Sequence, residues 1–512
     1  MPFDGFSGAL RQGTAIEDVL AALAKSTPIV DPRMQHLAFA KAGTFAQPGS
    51  ATSGLQFYDL EAGAKHLYPV LTPLRNETPR VPGAGGIQAN WRAITGVNTS
   101  SLRVGVSSGH RGGNMAITTQ DYLAAYKGIG IESSVDFEAQ YAAMNFEDIR
   151  ALGALTGLQA LMLGEEILLL GGNTSVALGT TPTPSCTGAI TGGTLSGAGS
   201  PTVYSVIVVA LTLEGYLNSS VSGGVPAQLT RTNADGSTDT FGGGSARKSA
   251  NGTFNVASGS TGSGACTVAA VQGAVGYAWY WGASGAEVLG AITTVPAYTV
   301  TATATGTQTA ASMPAADNSQ NSLSFDGLLT QALKSGSGAY YKDLGGLALT
   351  ADNAGGIVEI DAALKDRWDN YRLGFDTIWI NSQEAINLGK KIMAQGGNTG
   401  ALRFVINQDQ GAIGGGIMVA TYKNKFSLAG ANVLDVRIHP NMPPGMILMT
   451  TKKLPYPLSN VTNVWQVRTR QDYYQIEWPL VTRQYQYGVY ADQVLQHYFP
   501  PSMGIISGIL NG

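Results

Sequence analysis

The stretch NFEDIRALGALTGLQALMLGEEILLL, residues 145–170, carries the clearest structural signal in the chain. Its apolar residues recur every three or four positions, which predicts an amphipathic helix. Asn145 is the predicted cap, Glu147 and Asp148 sit favourably in the first turn, and the pair Gly171–Gly172 ends the helix. The predicted helix is a rod of about 35 Å with a broad apolar face.

Two features that cannot stand alone precede this helix. Residues 26–80 follow a short capped helix at Thr14 and combine prolines with short apolar pieces, which is typical of an extended arm. The strand-like stretches 87–94 and 102–106 bracket a turn at 96–101 and predict a long two-stranded hairpin. An isolated hairpin is marginal in water, so the hairpin is expected to lean on other structure.

A region dense in Gly, Ser and Thr, residues 186–312, follows the helix. Strand-like stretches recur in it at short intervals: 203–213, 228–241 with a turn at Asp235–Gly236, 253–256, 277–281 and 299–305. This spacing predicts a β-sandwich of immunoglobulin or fibronectin type III character. Tyr277, Trp279 and Trp281 share one face; sandwich core is the preferred interpretation, and a ligand-stacking platform is the alternative.

The chain has two cysteines, Cys186 and Cys266, and both lie in this middle region. Two cysteines cannot form a disulfide framework. Two buried, unreactive thiols are the simpler interpretation, and a single late-forming bridge between them is the alternative.

The last part of the chain mixes helix and strand signals. Helices are predicted at 323–333 and 357–371, and a buried strand at 375–380 leads into a capped helix at 383–393. Five further strand-like stretches follow, at 433–438, 445–449, 464–469, 473–478 and 485–490. The predicted class is therefore α+β, interrupted by an inserted all-β module.

Composition favours a protein that hides much of its surface in contacts with neighbours. Charged residues make up 13% of the 512 residues, about half the usual share, and interface centres are depleted in charge. The net charge is −3 and there is no Lys/Arg run, so contact with DNA is expected to be weak and non-specific. The start, MPFDG, lacks the pattern of a signal peptide, and the apolar run 158–170 is too short to span a bilayer, so synthesis in the cytoplasm and no membrane contact are expected.

No group of residues predicts catalysis, a cofactor site or a metal site. The five histidines lack metal-ligand spacing and are expected to be structural or solvated: His36, His66, His110, His439 and His497. Glu165 and Glu166 are adjacent on a helix, so they point about 100° apart and do not converge. The acids of the helix 357–371 alternate with Lys365, Arg367 and Arg372, as on a mixed-charge face: Glu359, Asp361, Asp366 and Asp369. The chain is predicted not to be an enzyme.

The order of these stretches resembles the major capsid proteins of tailed bacteriophages, which share the HK97-type fold. Residues 71–76 and the hairpin from Val81 look like the end of the N-terminal arm and the E-loop, 145–170 like the spine helix of the P-domain, and 375–386 like the strand-to-helix step of the A-domain. The most specific stretches are 439–448, 468–474 and 499–506. The likeness covers about 15–175 and 320–512.

The resemblance implies an HK97-like capsid fold with an inserted β-sandwich. The implied parts are an arm (1–80), an E-loop (81–126), a P-domain with the spine helix (127–180), the inserted immunoglobulin-like module (186–312), an A-domain (320–454), and C-terminal strands that return to the P-domain and A-domain (455–512). Such a module is expected to face outward and to be dispensable for assembly.

The implied function is a virion protein, made in the host bacterial cytoplasm, that assembles with itself as hexamers and pentamers into an icosahedral head shell around double-stranded DNA. Scaffolding, portal and decoration proteins are the further candidate partners. Some family members crosslink through a Lys in the E-loop, but the cations of 81–126 are Arg92, Arg103 and Arg111, so no crosslinking is predicted. No charged helical pro-segment is recognisable, which favours a separate scaffolding protein. The alternatives are an extracellular adhesive or carbohydrate-binding β-rich protein and an enzyme with a fibronectin-like module.

Overall fold

The computed structural model describes residues 65, 67–97, 105–112, 114–143, 148–197, 202–313, 315–394, 419–426 and 432–510. Leu67–Met144 and Asp148–Gly512 together form one compact unit. The predicted arm up to residue 64, His36, His66, the predicted cap Asn145 and most of the predicted hairpin turn lie outside the described residues.

The elements fall into three consecutive groups. Before residue 175 they are α1 (Pro73–Glu77), β1 (Arg80–Pro82), β2 (Gln88–Val97), β3 (Ile117–Ala125), β4 (Lys127–Asp136), α2 (Phe137–Ala142) and α3 (Ile149–Gly171). In the middle region they are β5 (Ser185–Ala189), β6 (Leu195–Ser196), β7 (Thr202–Leu211), α4 (Leu213–Leu217), β8 (Gln228–Thr232), β9 (Thr238–Gly242), β10 (Gly252–Val256), β11 (Thr261–Thr267), β12 (Gly276–Gly282), β13 (Val288–Thr293) and β14 (Ala297–Val300). After residue 320 they are α5 (Leu328–Leu333), β15 (Tyr340–Leu347), α6 (Val358–Tyr371), β16 (Thr377–Ile380), α7 (Ser382–Ala394), β17 (Thr421–Asn424), β18 (Asn432–Ile438), β19 (Ile447–Thr450), β20 (Trp465–Glu477), β21 (Gln484–His497) and β22 (Gly504–Ile509).

The long predicted helix is α3, which we call the spine helix. Its cap is Asp148 rather than Asn145, because the Asp148 carboxylate accepts hydrogen bonds from the backbone N–H groups of Arg150 and Ala151 at 3.1 and 3.2 Å. The helix has 23 residues, about 34 Å, and ends at the predicted glycine pair. Among the described residues it is the one helix with the length and apolar composition of a membrane span, and it carries two buried acids, Glu165 and Glu166, in its last turns.

The spine helix lies against a four-stranded sheet with the order β1-β20-β21-β4. Leu161 of the helix shares a buried cluster with Ile129 of β4 and with Val489 and Ala491 of β21. Strands β20 and β21 are longer than predicted. The stretches 464–469 and 473–478 form one strand with register shifts, and the stretch 485–490 extends to His497. We call this sheet with the spine helix the spine layer.

The hairpin before the spine helix is present, but its return strand was predicted in the wrong place. Strand β2 pairs with β3 from Gln88↔Ala125 to Val97↔Ile117, whereas Gly105 and Val106 lie outside any strand. The segment 117–125 carries β-branched and aromatic side chains that suit a strand, and a longer connection than the predicted turn separates it from β2.

The middle region is a two-layer sandwich. One sheet has the order β10-β7-β12-β13, and the other the order β14-β11-β5, with β6 also paired to β11. Apolar side chains of both sheets meet in one buried cluster that contains Tyr277, Trp279 and Trp281, so their interpretation as sandwich core is confirmed. The predicted strand 203–213 stops at Leu211 because the Thr212 hydroxyl caps α4. The immunoglobulin or fibronectin character stays a prediction.

The preferred interpretation of the two cysteines as free thiols is wrong. Cys186 of β5 and Cys266 of β11 stand directly opposite each other in an antiparallel pair and form a disulfide. The sequence shows that both residues lie in one region, but their common position on neighbouring strands is a matter of register.

The last part builds a six-stranded mixed sheet with the order β15-β22-β19-β16-β18-β17. Helix α6 buries Ile360 and Leu364 against this sheet, and α7 adds Leu388. The principal core lies where α5, the end of the spine helix, the spine layer and this sheet meet, and it includes Leu170, Phe325, Leu448, Val467 and Ile505. The α+β class is confirmed: a hairpin, the spine helix, a mixed α/β unit and C-terminal strands follow one another along the chain.

Candidate functional site

Two acids of the spine helix, Glu165 and Glu166, are fully buried and hold the end of the predicted arm. The Glu166 carboxylate accepts the backbone N–H groups of Leu74 and Arg75 at 2.8 and 2.7 Å. These N–H groups belong to the first turn of α1, where backbone donors lack partners within the helix. The Glu166 side chain of the spine helix therefore caps the N-terminal end of α1.

Glu165 fixes the same segment through its side chains. It accepts from Arg75 Nε at 3.1 Å, Arg80 Nη1 at 2.5 Å and Gln493 Nε2 at 2.7 Å, and Tyr473 donates its hydroxyl to it. Burial, together with the charge of Glu165, raises the pKa of Tyr473 to about 12, so the hydroxyl remains a donor. The two carboxylates are fully used by structural donors, and we call this group of contacts the arm-root clamp.

His439 connects the clamp to the six-stranded sheet. Its Nδ1 accepts the backbone N–H of Asn441 at 3.1 Å, so Nε2 carries the proton that is donated to Glu166 at 2.7 Å. His439 opens the stretch 439–445, which also binds α7. The Asn381 side chain donates to the carbonyl of Met442, and Gly445 donates its N–H to the buried Glu384. Residues 439–445 belong to one of the most specific stretches of the sequence resemblance. They thus connect α1, the spine helix and the six-stranded sheet.

The other described histidines have no catalytic surroundings. His110 is exposed. His497 is buried, its Nδ1 accepts the N–H of Phe499 at 3.2 Å, and burial lowers its pKa to about 3, so it is neutral at physiological pH. Within the described ranges, no group of three or more His, Cys, Asp or Glu side chains could hold a metal ion.

The acids of α6 go to separate partners. Glu359 accepts the N–H of Thr350, Lys365 binds Asp369, and Asp361 accepts from Lys425 and from the Tyr422 hydroxyl. The predicted mixed-charge face therefore holds, with one exception. Arg367 is buried and donates to the carbonyls of Gly338 and Pro501 at 2.6 and 2.9 Å.

Apolar side chains face solvent on three separate elements. On the β2–β3 hairpin Ile94 and Leu123 are 64% and 67% exposed, and the tip pair Val97 and Ile117 is about half exposed. On the spine helix Leu155 is half exposed, and in the turn between β20 and β21 Leu480 and Val481 are largely exposed. The sequence predicted that the hairpin needs other structure to lie against and that the helix has a broad apolar face, but it did not indicate the apolar turn.

No protein-family model matches the chain, and no curated protein matches it. Among solved structures the chain is similar to the capsid of Myoviridae phage XM1, with 10% identity and a TM-score of 0.37 over 92% of this chain and 100% of that one. It is similar to the capsid of cyanophage P-SCSP1u, with 11% identity and a TM-score of 0.36 over 90% and 94%. A structure from Gordonia phage Cozz has 7% identity and a TM-score of 0.40 over 91% and 98%. Each of these likenesses extends over at least 90% of the chain.

Proposed function

We propose that the chain is the major capsid protein of a tailed bacteriophage, which assembles with itself as hexamers and pentamers into an icosahedral head shell around the DNA genome. The observation that carries this proposal is the β2–β3 hairpin. Ala89 is buried near the base of the pairing, while Leu123 in the next register pair and Ile94 further along are exposed. A two-stranded ribbon with apolar exposed side chains gains stability when another chain covers it, and a second copy is the partner that a shell supplies.

The other exposed apolar surfaces support contacts with more than one neighbour. Leu155 on the spine helix and Val481 in the β20–β21 turn lie on elements different from the hairpin. A closed shell needs several distinct contacts per subunit, because each copy is surrounded by others. The low share of charged residues agrees with such extensive burial.

Carbohydrate binding, the main alternative, loses the feature that suggested it. Trp279 and Trp281 are 0% and 4% exposed. Their indole N–H groups donate to the Thr293 hydroxyl and the Ala302 carbonyl, both at 2.8 Å. A buried indole cannot stack on a sugar ring, so the adhesive alternative is not favoured.

Further parts of the proposal concern partners and place. The protein acts in the virion head, with scaffolding, portal and decoration proteins as candidate partners and with no catalytic role of its own. The net charge of −3 supports only weak contact with packaged DNA.

The proposal is tested by assembly of the full chain, alone and together with the other virion proteins, followed by sedimentation and negative-stain microscopy. Ile94→Asp places a charge on the hairpin, and Ile190→Asp is its matched control, because Ile190 is 67% exposed but lies in the middle region. We expect the wild type and Ile190→Asp to form closed particles, and Ile94→Asp to remain unassembled with an unchanged circular dichroism spectrum. Wild-type chains that stay monomeric under every condition would overturn the proposal.

A further inference from the structure

The middle region leaves and rejoins the rest of the chain at a narrow neck. The Gly179 N–H donates to the Asp317 carboxylate at 2.7 Å, and the Leu178 N–H donates to the Ser319 hydroxyl at 3.0 Å. The Asn173 side chain adds a bond to the Ser319 carbonyl at 2.8 Å. Because the two ends run side by side, the region between them is an insertion that a short linker could replace.

Two side chains of the insertion nevertheless lie in the principal core of the protein. Leu213 of α4 and Val275, just before β12, are buried members of the cluster that holds Leu170 and Phe325. The contact with the spine helix is close, since a Cβ atom on Gly171 would lie 2.5 Å from Cδ2 of Leu213. Glycine at the end of the spine helix thus admits a side chain of the insertion.

Two further contacts lie away from the spine helix. Glu214 of α4 accepts both hydrogen bonds of the Asn321 amide group, at 2.9 and 3.0 Å. The β13–β14 turn lies against the six-stranded sheet, where a Cβ atom on Gly346 would be 2.9 Å from Val295 Cγ1. At Gly445 the corresponding distance to Thr294 Oγ1 would be 3.3 Å.

We propose that the insertion is an intramolecular brace, which fixes the end of the spine helix relative to the six-stranded sheet through Leu213, Glu214 and the turn at Thr294–Val295. A module that only decorates the surface would touch the rest of the chain at its neck. This one adds a buried contact with the end of the spine helix and a close, half-buried contact with the six-stranded sheet. The expectation that the insertion is dispensable is thereby replaced by a mechanical role. This last step rests on the proposed function. In a shell, the brace would fix the angle between the spine layer and the six-stranded sheet of each subunit, and thereby the curvature of the particle.

The test compares two buried leucines of the insertion by hydrogen exchange of the unassembled chain. Leu213→Ala removes the contact with the spine helix, whereas Leu195→Ala removes a fully buried side chain that packs within the sandwich. We expect Leu213→Ala to speed exchange in the last turn of the spine helix by about tenfold or more, and Leu195→Ala to leave that turn unchanged. Equal effects of the two variants on that turn would overturn the brace.

A milder variant and a deletion complete the test. Val295→Ala is expected to speed exchange in β15 while the spine helix keeps its protection. A chain in which a short Gly-Ser linker joins Gly179 to Asp317 is expected to lose protection in both layers and to give particles of altered diameter or none. Unchanged exchange in the deleted chain would refute the brace. Failure of the wild type to form particles would refute only the capsid function, because exchange is measured before assembly.

Discussion

Glu165 and Glu166 place two carboxylates inside the protein, where an unpaired charge costs several kcal/mol. Each carboxylate is matched by its own donors, Glu166 by backbone N–H groups and His439, and Glu165 by two arginines, Tyr473 and Gln493. The free-energy cost of burying the two carboxylates is therefore offset only while α1 and Arg80 keep their positions. The clamp makes the position of α1 a condition for the stability of the spine helix.

Glu166→Ala should lower the free energy of unfolding by roughly 3–5 kcal/mol, because it strands buried donors of Leu74, Arg75 and His439. The matched control is Glu138→Ala, whose exposed ion pair with Arg483 should matter by less than about 1 kcal/mol. Urea denaturation followed by circular dichroism measures both. Equal losses for the two variants would contradict a stabilising clamp.

Sequence reasoning placed these two acids correctly on the helix and expected them to point apart, but both bind the same segment around Arg75. It missed their role because it looked for convergence on a substrate. The available signal was the position of two charges within an otherwise apolar helix, since buried charges require partners. The partners themselves, Arg75 and Arg80, lie 90 and 85 residues away from Glu165, and no local pattern links such positions.

At the scale of elements, the glycines of the spine helix differ in what they face. A Cβ atom on Gly153 would meet the Tyr487 hydroxyl at 2.0 Å, whereas no atom of the described part of the chain lies within 4 Å of such an atom on Gly157 or Gly164. Glycine in a helix interior costs about 0.5–1 kcal/mol relative to alanine. The glycine at position 153 is explained by strand β21, because the Tyr487 hydroxyl occupies the space that a Cβ atom would need. Among the residues that the structure describes, Gly157 and Gly164 have no such neighbour.

Gly157→Ala and Gly164→Ala should each raise the free energy of unfolding of the unassembled chain by about 0.5–1 kcal/mol. Gly153→Ala should lower it, because Tyr487 must move. Thermal and urea unfolding give the sign for each variant. A stabilised Gly157→Ala chain that assembles poorly would locate a neighbouring backbone at that position, while destabilisation by Gly157→Ala would contradict the open space seen around it.

The elements that were predicted correctly have sequence signals within a few residues. The elements that were missed depend on pairing with strands that are distant in sequence. The spine helix, α6 and α7 have their periodicity and caps within a few turns, so their positions were predicted to within a few residues. Strands β5 and β11 consist of Gly, Ser, Thr, Ala and Cys and are stabilised by pairing with neighbouring strands. For this reason the two strands were not predicted, and the disulfide between them was only the alternative interpretation. The return strand β3 was misplaced because a nearer stretch resembled a strand equally well.

At the scale of the whole molecule, the question is whether subunits can be joined covalently. The hairpin segment 81–126 contains no lysine that could form such a bond. Arg92 lies there and binds Asp121 through two hydrogen bonds of 2.6 and 2.9 Å, and a guanidinium stays protonated and does not act as a nucleophile. Denaturing gels of purified particles should therefore show one band near 53.2 kDa. Boiled, reduced samples give the control for disulfide-linked species, and a ladder of multimers in them would contradict non-covalent assembly.

The pairing of distant strands has a consequence for how the protein is made. Arg80 binds Gln493 across 413 residues of sequence, and β1 pairs with β20. At about 5–20 residues per second, a ribosome needs roughly 20–80 s to cover that distance. During this time the spine helix has left the ribosome, whereas strand β21, which covers its apolar side together with β4, does not yet exist. The nascent chain therefore carries uncovered apolar surface through most of its synthesis, which makes it a natural client of the chaperones that shield unfinished proteins.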